Sequence, residues 1–100
     1  SFCPMGPCVL PADEIDDPQT LKLTLRVNGN VEQDGSTAEM VFPVAAVIEF
    51  ISSFVTLAPG DIISTGTTAG VGAAKDKYLR AGDVVEAEIE RIGVLTNPVE

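Results

Sequence analysis

The sequence predicts an α+β fold that is rich in β-structure, with a mixed sheet and one main helix. Apolar and polar residues alternate from 21 to 27, and the Asn28-Gly29 pair that follows is a strong signal for a β-hairpin. Alternation returns from 84 to 92. Between these segments, apolar residues from Pro43 to Phe54 recur at helical spacing. These observations predict two strand pairs separated by a helix and a long loop.

The first half of the chain is predicted to form a turn-rich start followed by a hairpin. The first twenty residues contain four prolines and an acidic patch from Asp13 to Asp17. A strand is predicted from Leu21 to Val27, with its leucines on one face. After the Asn28-Gly29 turn, the return strand is predicted from Asn30 to Gln33, and Asp34-Gly35 is expected to end it.

The helix is predicted to begin at Pro43, because proline suits the first helical turn, and to stop before the Pro59-Gly60 turn. A short strand, Ile62-Ile63, then leads into a loop with four hydroxyl side chains and three glycines, which we call the glycine loop: Ser64, Thr65, Gly66, Thr67, Thr68, Gly70 and Gly72. Glycines let a backbone approach a ligand closely, and hydroxyls with free N–H groups can hold an anion. An anion site and a structural turn explain this loop equally well.

The last predicted strand, Val84 to Ile92, has Val94-Leu95 as its hairpin partner and carries three carboxylates on one face: Glu86, Glu88 and Glu90. These carboxylates could chelate a hard cation, but a solvated acidic face is the favoured interpretation. Three basic residues lie between the glycine loop and this strand, namely Lys75, Lys77 and Arg80. They could attract an anion, although a solvated turn is again favoured.

Composition restricts the partners and the compartment. The net charge of −9 argues against nucleic acid as a partner, and no apolar run approaches the roughly 20 residues that span a membrane. The absence of histidine excludes Cys-His and Ser-His-Asp catalysis within this chain. Cys3 and Cys8 are expected to be reduced thiols of a cytoplasmic protein. Because the start at Ser1 shows no initiator methionine or signal peptide, a piece of a longer protein is expected.

Several motifs follow one another along nearly the whole chain: Phe2-Cys3-Pro4-Met5-Gly6-Pro7, Val27-Asn28-Gly29, Gln33-Asp34-Gly35-Ser36-Thr37, Met40-Val41-Phe42, Leu57-x-Pro59-Gly60-Asp61 and Thr65-Gly66-Thr67-x-x-Gly70-Val71-Gly72. In this order they resemble the C-terminal half of the fumarylacetoacetate hydrolase superfamily. Thr68 departs from the pattern, because the superfamily usually has proline there. The resemblance implies that residues 1–100 are the C-terminal part of one catalytic domain, without its upstream half.

The resemblance also implies a hydrolase or isomerase that depends on Mg²⁺ or Mn²⁺. Its substrates would be small 2-oxo, 2-hydroxydienoic or acylpyruvate-type acids, and its reactions C–C bond hydrolysis or keto–enol isomerisation. The metal ligands, a Glu-x-Glu pair and an Asp, are expected upstream together with a catalytic lysine, so no catalytic or metal-ligating residue is expected within this chain. Glu86-x-Glu88 is not that pair, because it follows the glycine loop. The intact protein is expected to be a homo-oligomer.

The same resemblance assigns substrate contacts. Thr67 and Gly66 would hold the substrate carboxylate, and Pro4 and Gly6 would line the opposite rim. Gln33 would either bind substrate or serve a subunit contact. Two rival hypotheses remain: an anion-binding module without turnover, and an inactive structural fragment of such an enzyme.

Overall fold

The computed structural model describes residues 3–100, so Phe2 of the opening motif lies outside the described residues. One four-stranded sheet and one α-helix make up its regular structure: β1 (Lys22–Val27), β2 (Asn30–Ser36), α1 (Val44–Ser52), β3 (Val84–Ile89) and β4 (Gly93–Pro98). The strand order in the sheet is β2-β1-β3-β4. The predicted α+β class with one main helix is confirmed.

The sheet is antiparallel in all three pairings described for residues 3–100, rather than mixed as the sequence prediction had it. Two of the pairings, β1 with β2 and β3 with β4, are hairpins closed by short turns, and a short turn can join only antiparallel strands. The central pairing, β1 with β3, spans the long connection between the hairpins and is also antiparallel.

The first hairpin turns at Asn28 and Gly29, as predicted. Both residues have positive φ, 51° and 78°, which is the conformation that two-residue hairpin loops of this type require. The Asn28 side chain donates to Asp83 Oδ1 at 2.8 Å and accepts from the Val84 N–H at 2.9 Å. The Asn28 amide, with the Arg80 N–H, holds the pKa of Asp83 below its usual value. The turn is thereby fastened to the start of β3.

Two strand ends differ from the sequence prediction. Strand β2 continues through Asp34-Gly35 to Ser36, because Gly35 pairs with Leu23 and the ladder is not broken there. Strand β3 ends at Ile89 rather than Ile92, because the hairpin turn occupies residues 90–92. Glycine and aspartate are turn-formers by preference, and here the partner strand overrides that preference.

A β-bulge interrupts the pairing of β1 with β2. Leu25 lies opposite Gln33, whereas the next residue, Arg26, lies opposite Val31. Glu32 is therefore the extra residue on β2, and the bulge displaces it from the regular ladder. This local irregularity decides which side chains β2 presents to the rest of the molecule.

Helix α1 begins directly after Pro43, where its Val44 N–H donates to Gln19 Oε1 at 2.7 Å, and it ends at Ser52, two residues before the predicted end. Ile62-Ile63, predicted as a short strand, pairs with no strand among residues 3–100. A two-residue segment can form very few ladder hydrogen bonds, so it depends on its neighbours for order. None of the helices in the described part of the chain is long and apolar enough to cross a bilayer.

The described residues enclose very little core. Leu21, with 6% of its surface exposed, is the one buried apolar residue among them. The accessible surface is 7584 Å², whereas a compact monomer of 10.5 kDa has about 5,400 Å². Phe42, Phe50 and Phe54 are each about two-thirds exposed. Exposed apolar side chains of this size are typical of a surface that contacts other protein.

Candidate functional site

A cavity of about 510 Å³ lies on the apolar face of the sheet. Strands β1 and β3 supply its floor: Leu23, Leu25, Ala87 and Ile89. Residues 65–69 of the glycine loop form one rim, and residues from the segment 36–42 form the other. An apolar floor with a few polar groups at the rim is the usual form of a small-molecule site.

Gln33 joins the sheet to the glycine loop. Because it lies opposite Leu25, its side chain is on the cavity face of β2. Its amide nitrogen donates to Thr67 Oγ1 at 2.9 Å and to the Thr68 carbonyl oxygen at 2.7 Å. The Thr68 hydroxyl, where the family pattern has proline, lies 3.3 Å from the same nitrogen. The loop is thus held at Thr67 and Thr68, two of the residues that line the cavity.

Glu32 holds the segment that directly follows the glycine loop. Its carboxylate accepts from Lys77 Nζ at 3.0 Å and Lys75 Nζ at 3.2 Å, and these bonds hold the pKa of Glu32 below its usual value. Two of the three basic residues after the glycine loop, Lys75 and Lys77, are therefore engaged by Glu32. The sequence gives no signal for this role of Glu32. Lys75 and Lys77 lie 43 and 45 positions away, and opposite charges that far apart in a sequence do not indicate contact in the fold.

The glycine loop approaches the backbone of β2 closely at Gly70. A methyl group placed there would overlap the Glu32 carbonyl oxygen and lie 3.1 Å from Gln33 Cγ. Gly70 also has φ +106°, a conformation that other residues rarely adopt. Only glycine fits this position, which explains on steric grounds why the motif has glycine there.

The rim of the cavity presents free donors. Gly66 has φ +100°, and Thr67 is exposed. Within residues 3–100, the backbone N–H groups of Gly66, Thr67 and Thr68 donate to no other group. Unpaired N–H groups beside a hydroxyl can receive a carboxylate oxygen.

Pro4 and Gly6 do not line this cavity. A methyl group at Gly6 would lie 3.4 Å from Leu95 Cδ1, and Leu95 pairs with Ala87 of the cavity floor. Gly6 therefore lies on the same face of the sheet, one strand away. The structure brings Gln33, Gly66 and Thr67 together, and the assignment of Pro4 and Gly6 to the opposite rim stays a prediction.

Two of the three carboxylates predicted on one face of the last strand have bonding partners. Glu88 accepts from Arg26 at 2.7 Å, and the carboxylate of Glu90, just past the strand, accepts from the Lys22 N–H at 3.1 Å. Across residues 3–100, no group of three or more histidine, cysteine, aspartate or glutamate side chains could hold a metal ion. The described residues do not fit a metal centre, so no step is assigned to one within this chain.

Comparison with known proteins shows the family to which this chain belongs. The family model described as fumarylacetoacetate (FAA) hydrolase, C-terminal, matches residues 1–100. The chain belongs to the fumarylacetoacetate hydrolase family. The fold is that of this family's C-terminal domain, as the resemblance implies. Members of the family include hydrolases and isomerases.

Three relatives illustrate the range of the family. Oxaloacetate tautomerase FAHD2A, mitochondrial, of Bos taurus is 48% identical over an alignment of 101 positions that covers 99% of this chain and 32% of the relative. The fumarylacetoacetate hydrolase of psychrophilic Exiguobacterium antarcticum has a TM-score of 0.92 and 42% identity, over 99% of this chain and 36% of that structure. Maleylpyruvate hydrolase of Sphingobium sp. SYK-6, solved with manganese(II) and pyruvate, has a TM-score of 0.90 and 38% identity, over 98% of this chain and 35% of that structure. The chain thus spans about a third of the length of these relatives.

Proposed function

We propose that the intact protein is a divalent-metal-dependent hydrolase or isomerase of small 2-oxo, 2-hydroxydienoic or acylpyruvate-type acids. The observation that carries this proposal is the rim of the cavity, where the Thr67 hydroxyl and the free N–H groups of Gly66 and Thr67 surround a space with an apolar floor. The pyruvate bound by the related maleylpyruvate hydrolase is a 2-oxo acid, which supports this substrate class.

In this proposal the chain binds and orients the substrate. The substrate carboxylate accepts from the Thr67 hydroxyl and the loop N–H groups, and the carbon skeleton lies on Leu25 and Ala87. Fixing one end of the substrate in this way lowers the entropic cost of reaching the reactive geometry. Mg²⁺ or Mn²⁺, held by residues outside 3–100, would supply Lewis-acid activation when bound.

Metal dependence is tested on the intact protein with acylpyruvates and oxaloacetate as substrates. We expect turnover, followed by ultraviolet absorbance, to be lost after treatment with a chelator and restored by Mn²⁺ or Mg²⁺. The control is a chelator-treated sample that receives Ca²⁺ instead. Turnover that survives complete removal of divalent ions contradicts the proposal.

A non-catalytic alternative has a specific observation in its favour, since the hydroxyl and free N–H groups at the rim of the cavity can hold an anion without a metal ion. An anion-binding or structural piece of such an enzyme would bind pyruvate equally well with and without divalent ions. It would also show no turnover in the metal-dependence assay, so one set of measurements separates the two functions.

Self-association of the intact protein is a further part of the proposal. The exposed aromatic side chains Phe42, Phe50 and Phe54, and a surface about 2,000 Å² larger than that of a compact monomer, support it. One partner in a standard protein interface buries only about 800 Å². We expect a homodimer or larger assembly by light scattering coupled to size-exclusion chromatography, and a monodisperse monomer would contradict it.

The domain division and the location of the protein stay predictions. The division into an upstream half with the metal ligands and a C-terminal part, residues 1–100, agrees with the description of the matching family model but has no direct test. The cytoplasmic location depends on Cys3 and Cys8, both free and exposed thiols. The related tautomerases are named as mitochondrial, so fractionation of cells that express the intact protein would decide the location.

A further inference from the structure

The orientation of the Gln33 amide is determined by its neighbours. A backbone carbonyl oxygen only accepts hydrogen bonds, and the Thr68 carbonyl lies 2.7 Å from the end of the Gln33 side chain. The atom facing it must therefore be the NH₂ nitrogen, since an oxygen at that distance would be repelled. The same nitrogen lies 2.9 Å from Thr67 Oγ1, so Gln33 donates to the Thr67 hydroxyl.

This bond determines what Thr67 offers to the cavity. A threonine hydroxyl has one proton and two lone pairs, and one lone pair is taken by Gln33. The Gln33 nitrogen has no lone pair to accept the Thr67 proton, so that proton must point elsewhere. Thr67 lines the cavity and is exposed to it, so the hydroxyl can direct its proton to a ligand there.

We infer that Gln33 is a positioning residue that makes Thr67 a hydrogen-bond donor to the cavity. The site thereby favours ligands that present an acceptor, such as a carboxylate, at the glycine loop. This inference rests on the proposed function, in which Thr67 holds the substrate carboxylate, and it assigns to Gln33 a role through Thr67 rather than a contact with substrate or with another subunit.

The β-bulge supports the assignment. From the two-residue turn at Asn28-Gly29, regular pairing would place Gln33 opposite Thr24, on the other face of the sheet. The extra residue at Glu32 shifts the register so that Gln33 lies opposite Leu25 and faces the cavity. Bulges often direct a side chain beside a functional site.

The test is a double-mutant cycle in the intact, metal-loaded protein, with pyruvate as the probe and its inhibition constant as the readout. Gln33→Met keeps the length of the side chain but removes both donors. We expect Gln33→Met to weaken pyruvate binding roughly 3- to 10-fold, the scale of one neutral hydrogen bond, and Thr67→Val to weaken it roughly 10-fold or more. If Gln33 acts through Thr67, the double variant should lie within about twofold of Thr67→Val alone.

The outcomes separate the inference from the proposed function. Fully additive effects, or a Gln33→Met variant that binds pyruvate normally while Thr67→Val does not, overturn the positioning role only. Normal pyruvate binding by Thr67→Val overturns the carboxylate-holding role itself. If Gln33→Met does not fold, Gln33→Glu replaces it in the cycle. Its carboxylate would draw the Thr67 proton away from the cavity and would also repel pyruvate in either background. The loss of affinity is therefore expected to be smaller in the Thr67→Val background, and a loss of the same size in both backgrounds overturns the positioning role.

Discussion

Replacing Gly70 with alanine should lower kcat/KM of the intact protein by about 100-fold, the scale that a displacement of roughly 1 Å in a binding group can produce. A methyl group at Gly70 would overlap the Glu32 carbonyl oxygen and crowd Gln33 Cγ, so the loop must move away from β2. Because Gln33 holds Thr67 across the same gap, that movement also lengthens its hydrogen bond to the Thr67 hydroxyl. Steady-state kinetics of the purified variant would measure the loss.

Gly60→Ala is the matched control for this experiment. Gly60 has φ +101°, close to the +106° of Gly70, but nothing lies within 4 Å of a methyl group placed there. Both variants therefore incur the cost of a strained backbone, and only Gly70→Ala adds a clash. We expect Gly60→Ala to lose some thermal stability and to keep kcat/KM within about threefold of the parent protein, because strain of this kind costs roughly 1–2 kcal/mol locally. Equal losses of kcat/KM in both variants would show that the close approach at Gly70 is irrelevant to function.

Thr67→Val should lower kcat/KM by roughly 10- to 100-fold, which corresponds to one or two hydrogen bonds to a charged group. Valine has nearly the same shape as threonine, so the substitution removes the hydroxyl with little change in volume. Thr67→Ser, which keeps the hydroxyl and removes the methyl group, is expected to recover most of the activity. The measurement is kcat/KM of the intact enzyme with an acylpyruvate, in the presence of saturating Mn²⁺.

An unchanged kcat/KM in Thr67→Val would refute the assignment of Thr67 as a carboxylate ligand. Melting temperatures of the valine and serine variants should agree within a few degrees, because Thr67 is exposed and contributes little to packing. A loss of activity that follows a fall in melting temperature across both variants would also count against a specific role for the hydroxyl.

Local patterns in the sequence predict much of this fold. The alternation in β1, the Asn28-Gly29 turn and the helical spacing of α1 each depend on residues close together in the chain, and all three are observed. Strand β2 has no comparable pattern: Val31 is exposed, whereas the polar residues Glu32 and Gln33 are half-buried. Its register depends on contacts with distant residues, so its length and its bulge could not be predicted.

The residues of the candidate site also differ in how well the sequence predicts them. Gly66 and Thr67 are visible in the sequence because a run of glycines and hydroxyls is unusual in any context. The role of Gln33 is not visible, because it depends on a register shift at Glu32 that turns its side chain toward the loop. The ion pairs of Glu32 could not be predicted either, because Lys75 and Lys77 lie in a segment that forms no strand beside β2.

The bulge gives the glycine loop and the segment after it attachments that differ in their response to ionic strength. Neighbouring residues on a regular strand point to opposite faces, but here Gln33 reaches the glycine loop and Glu32 reaches the lysines just after it. The Lys75 and Lys77 side chains are 41% and 63% exposed, so dissolved salt screens their attraction to Glu32. The bonds from the neutral Gln33 amide are not screened in this way. High salt should therefore loosen the segment after the glycine loop, at Lys75 and Lys77, while Thr67 keeps its place at the cavity.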